Sequence, residues 1–349
     1  MPLILDTAQT GSGGELRNAN CVTVGLINNM PDAALEATER QFTDLMRLSA
    51  RKTVVRLMLF SIPQVPRGIA ARRDLATRYR DISALWDGRL DGLVVTGTEP
   101  KSKNLKDEPY WSALAQVIDW ARHNTNSTIW SCLAAHAAVL HTDGIERSAL
   151  PQKLSGVFDC APASHHPMLR NVSLPMRVPH SRGNDLSERA LKSAGYRILT
   201  RSGDAGVDMF VRQERSFHLF LQGHPEYEAD TLLREYRRDV GRYLRGEGER
   251  YPAMPRGYFD DEAKANLEAF RKRALAERSG DLLKSFPMRR LEARLAGGWR
   301  SSAVGIYENW FDYLKGRKAE IRSPLLPMRR AWRDWPARGA ELAADGPVT

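Results

Sequence analysis

Cys132 follows a short apolar run at residues 128–131 and precedes the small-residue stretch 133–141, so it sits where a strand hands over to a helix. That junction aims a side chain at the carboxyl end of a parallel sheet, where α/β proteins hold their ligands. The helix N-terminus favours a thiolate there, and its free N–H groups can hold an oxyanion. A lone cysteine is more often a buried apolar residue, so position alone decides little. A second motif shifts the balance. His224 and Glu226 flank Pro225 directly after another strand-like run at 217–222. The proline stiffens a turn that can hold the carboxylate against the imidazole, fixing its tautomer and favouring its cation. A cysteine at one strand end and a His–Glu pair at another make the set that nucleophilic catalysis needs: thiolate, base and orienter.

Those strand ends need a sheet behind them. β-rich runs occur at residues 22–27, 54–60, 93–96, 128–131, 198–200, 207–213 and 217–222. Helical patterns occupy 33–50, 110–123, 133–141 and 229–243; in the second, Trp111, Leu114, Val117, Ile118 and Ala121 share one face. Strands alternating with helices predict βαβ units and a mainly parallel sheet flanked by helices. Residues 151–185 carry Pro151, Pro162, Pro167, Pro175 and Pro179 and read as loop. The expected organisation is a flexible arm at 1–19 around Gly11-Ser12-Gly13-Gly14, a catalytic α/β domain at 20–259, a charged helical insertion at 260–298, a return of the domain at 299–315, and a basic tail at 316–349.

Composition narrows the function classes. A chain of 349 residues with 42% hydrophobic and 27% charged residues is neither fibrous nor wholly disordered. No stretch reaches the ~18 apolar residues of a membrane span. The first residues lack the basic start of a secretory signal, and Cys21, Cys132 and Cys160 are too few for a disulfide framework, so a cytoplasmic protein is expected. The net charge of +10 comes largely from late clusters such as Arg271-Lys272-Arg273, Arg289-Arg290, Arg317-Lys318 and Arg329-Arg330. No nucleic-acid recognition motif accompanies them, and they read as a solvated basic face with no nucleic acid or membrane as partner. His136, His141 and His180 make no closed ligand set, so no metal is expected. Cys21 and Cys160 read as structural.

The segment from Ser131-Cys132-Leu133 to His136, with Gly223-His224-Pro225-Glu226, resembles the nucleophile elbow and HPE motif of class I glutamine amidotransferase-like folds, which implies a flavodoxin-like sheet. More specifically, the chain resembles the homoserine O-succinyltransferase family. The matching segments are Asn28-Asn29-Met30-Pro31, Asp91 to Gly97, Pro109-Tyr110-Trp111, Lys153 to Phe158, Pro179-His180-Ser181-Arg182, Gly223 to Tyr227, Glu235 to Asp239, and Asn309-Trp310. They run in order from about residue 20 to about 315. Amidotransferases share only the cysteine and HPE parts. Leu133 replaces the family's usual tryptophan, Thr98-Glu99-Pro100 replaces a loop that usually begins Ala-Pro, and residues 260–298 are longer than the family segment.

The resemblance implies ping-pong acyl transfer from an acyl-coenzyme A to the γ-hydroxyl of L-homoserine, in methionine biosynthesis, with no bound cofactor. Cys132 is the implied nucleophile, His224 the base and Glu226 its orienter. The backbone N–H groups of Leu133 and Thr98 form the implied oxyanion hole. Lys153, Ser181 and Arg238 match family positions that contact substrate. In an ungapped match from Gly97 to Trp111, the position separating succinyl from acetyl donors falls on Lys101; the family has glycine there with succinyl and glutamate with acetyl transfer. An ammonium suits the distal carboxylate of a succinyl group, so succinyl-CoA is the expected donor and acetyl-CoA the alternative. A glutamine amidotransferase and a nucleic-acid-binding protein are the competing classes. A homodimer is compatible with the resemblance.

Overall fold

Alternating apolar side chains decide the central layer. Along the second strand, Val22, Val24 and Leu26 face one side of the sheet and pack against Phe42, Leu45 and Met46, while Ile27 joins Val95, Trp130 and Leu114 on the other. A strand with both faces apolar has to be covered on both. The computed structural model, which describes residues 3–6, 21–295 and 297–322, shows that arrangement.

The strands are β1 (Leu3–Asp6), β2 (Cys21–Ile27), β3 (Val54–Phe60), β4 (Leu90–Val95), β5 (Thr125–Ser131), β6 (Ser148–Pro162), β7 (Met176–Asp185), β8 (Arg197–Ser202), β9 (Gly206–Gln213) and β10 (Phe217–Leu221). They form one sheet in the order β1-β3-β2-β4-β5-β10-β9-β8-β6-β7. From β1 to β10 the pairs are parallel; from β10 to β7 they are antiparallel. The run β3-β2-β4-β5-β10 is the second, first, third, fourth and fifth strand of a doubly wound unit, the flavodoxin-like order. The expected α/β class holds.

Helices α1 (Asp32–Ser49) and α9 (Arg300–Arg322) cover one face; α3 (Trp111–Asn124) and α4 (Leu133–Asp143) cover the other. Helices α2 (Ile69–Arg78) and α5 (Glu188–Ser193) lie in connections. A third core joins α6 (Thr231–Leu244), α7 (Asp261–Ala276) and α8 (Met288–Glu292) through Leu232, Val240, Leu267, Phe270 and Leu291. The charged segment after residue 260 therefore has an apolar face, laid on α6. Its charges are largely compensated: Arg271 pairs with Glu268, and Arg294 with Asp260 and Glu262.

Two expectations need correction. Residues 151–185 are not mainly loop; β6 and β7 form a long antiparallel hairpin with a bulge between Ala149 and Leu154. Pro151 falls in that bulge, Pro162 ends β6, and Pro179 lies on an edge strand, positions that need no ladder N–H. The arm expected at 1–19 contains β1, whose Leu3–Asp6 extend the sheet along β3; residues 7–20, with the Gly-Ser stretch, lie outside the described residues, as does the tail beyond 322. Asp6 anchors that edge through ion pairs to Arg56 and Arg80.

Trp310 of α9 is fully buried, donates from Nε1 to Ser127 Oγ at 2.9 Å, and lies over Gly92, where an added Cβ would come within 2.8 Å of the ring. Trp310→Ala should cost about 3–5 kcal/mol of folding stability, read as a lower urea midpoint. A loss below about 1 kcal/mol would mean that α9 is not part of the core.

Candidate active site

Strand β5 ends at Ser131, and the chain turns into α4 in a single residue. Cys132 makes that turn at φ 51° and ψ −112°, a backbone conformation rarely held by a residue with a Cβ. The turn is held by hydrogen bonds: the Cys132 N–H donates to Leu221 O at 2.7 Å, and its carbonyl accepts from Ala135 and His136. Such a sharp strand–helix elbow lifts a nucleophile clear of the sheet end. Cys132 is half-buried, whereas Cys21 and Cys160 are fully enclosed, and burial pushes the Cys160 thiol up.

The loop after β4 closes against this elbow. A Cβ on Gly97 would lie 2.6 Å from Leu133 Cβ and 3.0 Å from Leu133 N, so only glycine allows the approach. Asn29 fixes that loop, accepting nothing from it but donating from its backbone to Thr96 Oγ1 and from Nδ2 to Thr96 O. The Asn28-Asn29 pair thus organises the switch point between β2 and β4. Thr98 follows, half-buried.

After β10, His224 and Glu226 sit on the neighbouring turn. His224 Nδ1 donates to Glu226 Oε1 at 2.8 Å, which leaves Nε2 for the cysteine side. Burial opposes the imidazolium, but the charge of Cys132 and of Glu226, with their hydrogen bonds, outweighs it and holds His224 well above its ordinary value. Tyr227 stacks on the imidazole with ring centroids 4.2 Å apart. Gly223 permits the turn to lie on β7 and β9: a Cβ there would meet Asp208 Oδ1 at 2.7 Å and His180 Nε2 at 2.9 Å. Cys160, His180 and Asp208 form a buried group with donor atoms within 4.8 Å of one another, and this group supports the turn from behind. Since the charge of Cys132 favours the cation, Cys132→Ala should lower the His224 pKa, followed by NMR of the imidazole. An unmoved titration would separate the two residues.

A second polar group adjoins the first. Lys153 on β6 donates to Asp239 Oδ2 at 2.7 Å, and Arg238 Nε donates to Asp239 Oδ1 at 3.0 Å. Ser181 on β7 donates to Glu235, which also accepts from Tyr227 at 2.8 Å. The hairpin β6–β7 and helix α6 therefore bring Lys153, Ser181 and Arg238 together, and Tyr227 links them to His224. Arg242 adds a two-pronged ion pair to Glu99, at 2.6 and 3.0 Å, tying α6 to the loop after β4. Lys101 stands apart: its backbone N–H is held by Glu108, and its side chain is exposed.

A family model described as homoserine O-succinyltransferase matches residues 9–320. The chain belongs to the homoserine O-succinyltransferase family. Relatives bearing that name include one from Methylorubrum extorquens, 50% identical over 85% of this chain and 88% of its own length. Others come from Rhodopseudomonas palustris, 48% identical over 84% and 88%, and Bradyrhizobium japonicum, 46% identical over 89% and 96%. Similar solved structures include glutamine amidotransferases from Methylobacillus flagellatus (TM-score 0.46, 15% identity, 84% of this chain and 95% of that one) and Thermotoga maritima (TM-score 0.45, 13% identity, 84% and 98%). As a member of this acyltransferase family the chain is a transferase with an acyl-CoA co-substrate, and among its described residues no helix is long and apolar enough to cross a membrane.

Sequence reasoning gave Tyr227, Glu235, Asp239 and the Glu99–Arg242 pair no role of their own. Part of that signal was present: Glu235, Arg238 and Asp239 stand at i, i+3 and i+4, one face of a helix.

Proposed function

We propose that the protein transfers the succinyl group of succinyl-CoA to the γ-hydroxyl of L-homoserine through an acyl-cysteine. The observation that carries this reading is the half-buried Cys132 on its strained elbow, electrostatically coupled to a His224 that Glu226 orients. The Cys132 thiolate attacks the thioester carbonyl carbon, and the oxyanion is received by the N–H groups of Leu133 and Thr98. The carbon–sulfur bond to coenzyme A breaks, and the departing thiolate takes its proton from the His224 imidazolium. Neutral His224 then accepts the hydroxyl proton of homoserine as the oxygen attacks the acyl-enzyme. Cys132 leaves as thiolate, and the imidazolium is restored. Two steps let one site serve both substrates.

Homoserine brings a carboxylate and an ammonium. The Lys153–Ser181–Arg238 group supplies cationic and hydroxyl donors beside Glu235 and Asp239, so both ends of the amino acid find opposite charges. Lys101 is exposed, with Lys103 and Lys106 near it in sequence, and three ammonium groups suit the phosphates of coenzyme A. The reading is tested by comparing kcat/KM for succinyl-CoA and acetyl-CoA with homoserine as acceptor, beside a glutaminase assay. Preference for succinyl-CoA with no glutaminase activity supports it. Preference for acetyl-CoA would overturn the donor, and glutamine hydrolysis would favour the amidotransferase class.

A further inference from the structure

A succinyl group differs from other small acyl groups by one negative charge, and two methylenes hold that charge roughly 4 Å from the carbonyl carbon. A site that selects it needs a cation at that range from Cys132. Lys101 is exposed, so another group has to be sought.

Arg147 follows the Gly144 cap of α4, and its half-buried guanidinium reaches back beside the loop after β4. Its Nη2 donates to Lys103 O at 3.1 Å and Ser102 O at 3.5 Å. Both acceptors are neutral carbonyls, so no carboxylate is clamped to it among the described residues. The same loop begins at Gly97 against Leu133, and Glu108 holds it by accepting from the N–H groups of Lys101 and Ser102. Burial lowers the Arg147 pKa, while the charges of Tyr110, Glu108 and Cys132 raise it. A second observation points to a polar ligand here. The Tyr110 hydroxyl is buried, with Tyr110 only 3% exposed, and has no hydrogen-bond partner among the described residues.

We propose that Arg147, aided by the hydroxyl of Tyr110, receives the distal carboxylate of the succinyl group and sets the choice of acyl donor. The proposal rests on the succinyl-transfer reading above. The guanidinium fork matches a carboxylate, and its anchoring to two loop carbonyls fixes it in advance of binding.

The test compares kcat/KM for succinyl-CoA with that for butyryl-CoA, a neutral donor of similar length, in the intact enzyme. In Arg147→Met the succinyl-to-butyryl ratio should fall about 100-fold. Arg147→Lys should recover part of the ratio, because charge remains while the fork is lost. Tyr110→Phe should lower the ratio roughly 5–10-fold. Because each variant is measured with both donors, a general loss of folding or of thiol reactivity cancels from the ratio. Equal losses with both donors would make Arg147 a loop staple and overturn the proposal. A wild-type enzyme that prefers butyryl-CoA would overturn the succinyl reading itself, whereas a wild-type preference for succinyl-CoA that survives Arg147→Met would overturn only the assignment of Arg147.

Discussion

Cys132→Ala should fold like the wild type and lose acyl transfer by at least roughly 10⁴-fold, because no other side chain can form the covalent intermediate. Alanine fits the elbow sterically, since the three hydrogen bonds that hold it come from the backbone. The unusual φ of 51° persists with alanine, so any stability cost is limited to the removed sulfur. Cys21 and Cys160 cannot substitute, being buried in the sheet. Steady-state rates with succinyl-CoA and homoserine, alongside a thermal melt, check both halves of the expectation. Turnover near the wild-type rate in a folded Cys132→Ala enzyme would remove the acyl-cysteine from the mechanism.

His224→Asn should lower kcat roughly 10³-fold and slow both half-reactions. The first suffers because the imidazolium no longer supports the thiolate or protonates coenzyme A. The second suffers because the homoserine hydroxyl loses its base. Glu226→Gln should cost less, on the order of 10²-fold, since the imidazole remains but its Nδ1–H loses the carboxylate 2.8 Å away. The carboxylate also helps hold the His224 cation, so in Glu226→Gln the His224 pKa should fall and the base become available at lower pH. Stopped-flow release of coenzyme A separates the first half-reaction from the second. Wild-type rates in both variants would dismiss the triad.

The sheet and the elbow were legible because their signals are local. An apolar run followed by Cys132 and small residues announces a strand–helix junction, and Pro225 between His224 and Glu226 announces a fixed turn. That the sheet is mainly parallel follows from alternating strands and helices. What was hidden is contact across long separations. Lys153 and Arg238 share Asp239, yet Lys153 and Asp239 stand 86 positions apart. The β6–β7 hairpin that makes this contact was masked by prolines, whose positions in a bulge, at a strand end and on an edge strand are compatible with a sheet. Likewise Arg147 carries no local mark. Its place against the loop after β4 depends on α4 ending at Gly144 and on where that loop comes to rest.

The central claim is the covalent intermediate, and intact-protein mass spectrometry tests it most directly. The full-length enzyme is mixed with succinyl-CoA without homoserine, and its mass is compared before and after homoserine is added. The predicted result is a gain of one succinyl group, mapped by peptide digestion to Cys132, that disappears on adding L-homoserine while O-succinylhomoserine forms. Full turnover with no adduct on Cys132, or an adduct elsewhere that homoserine discharges, would contradict it.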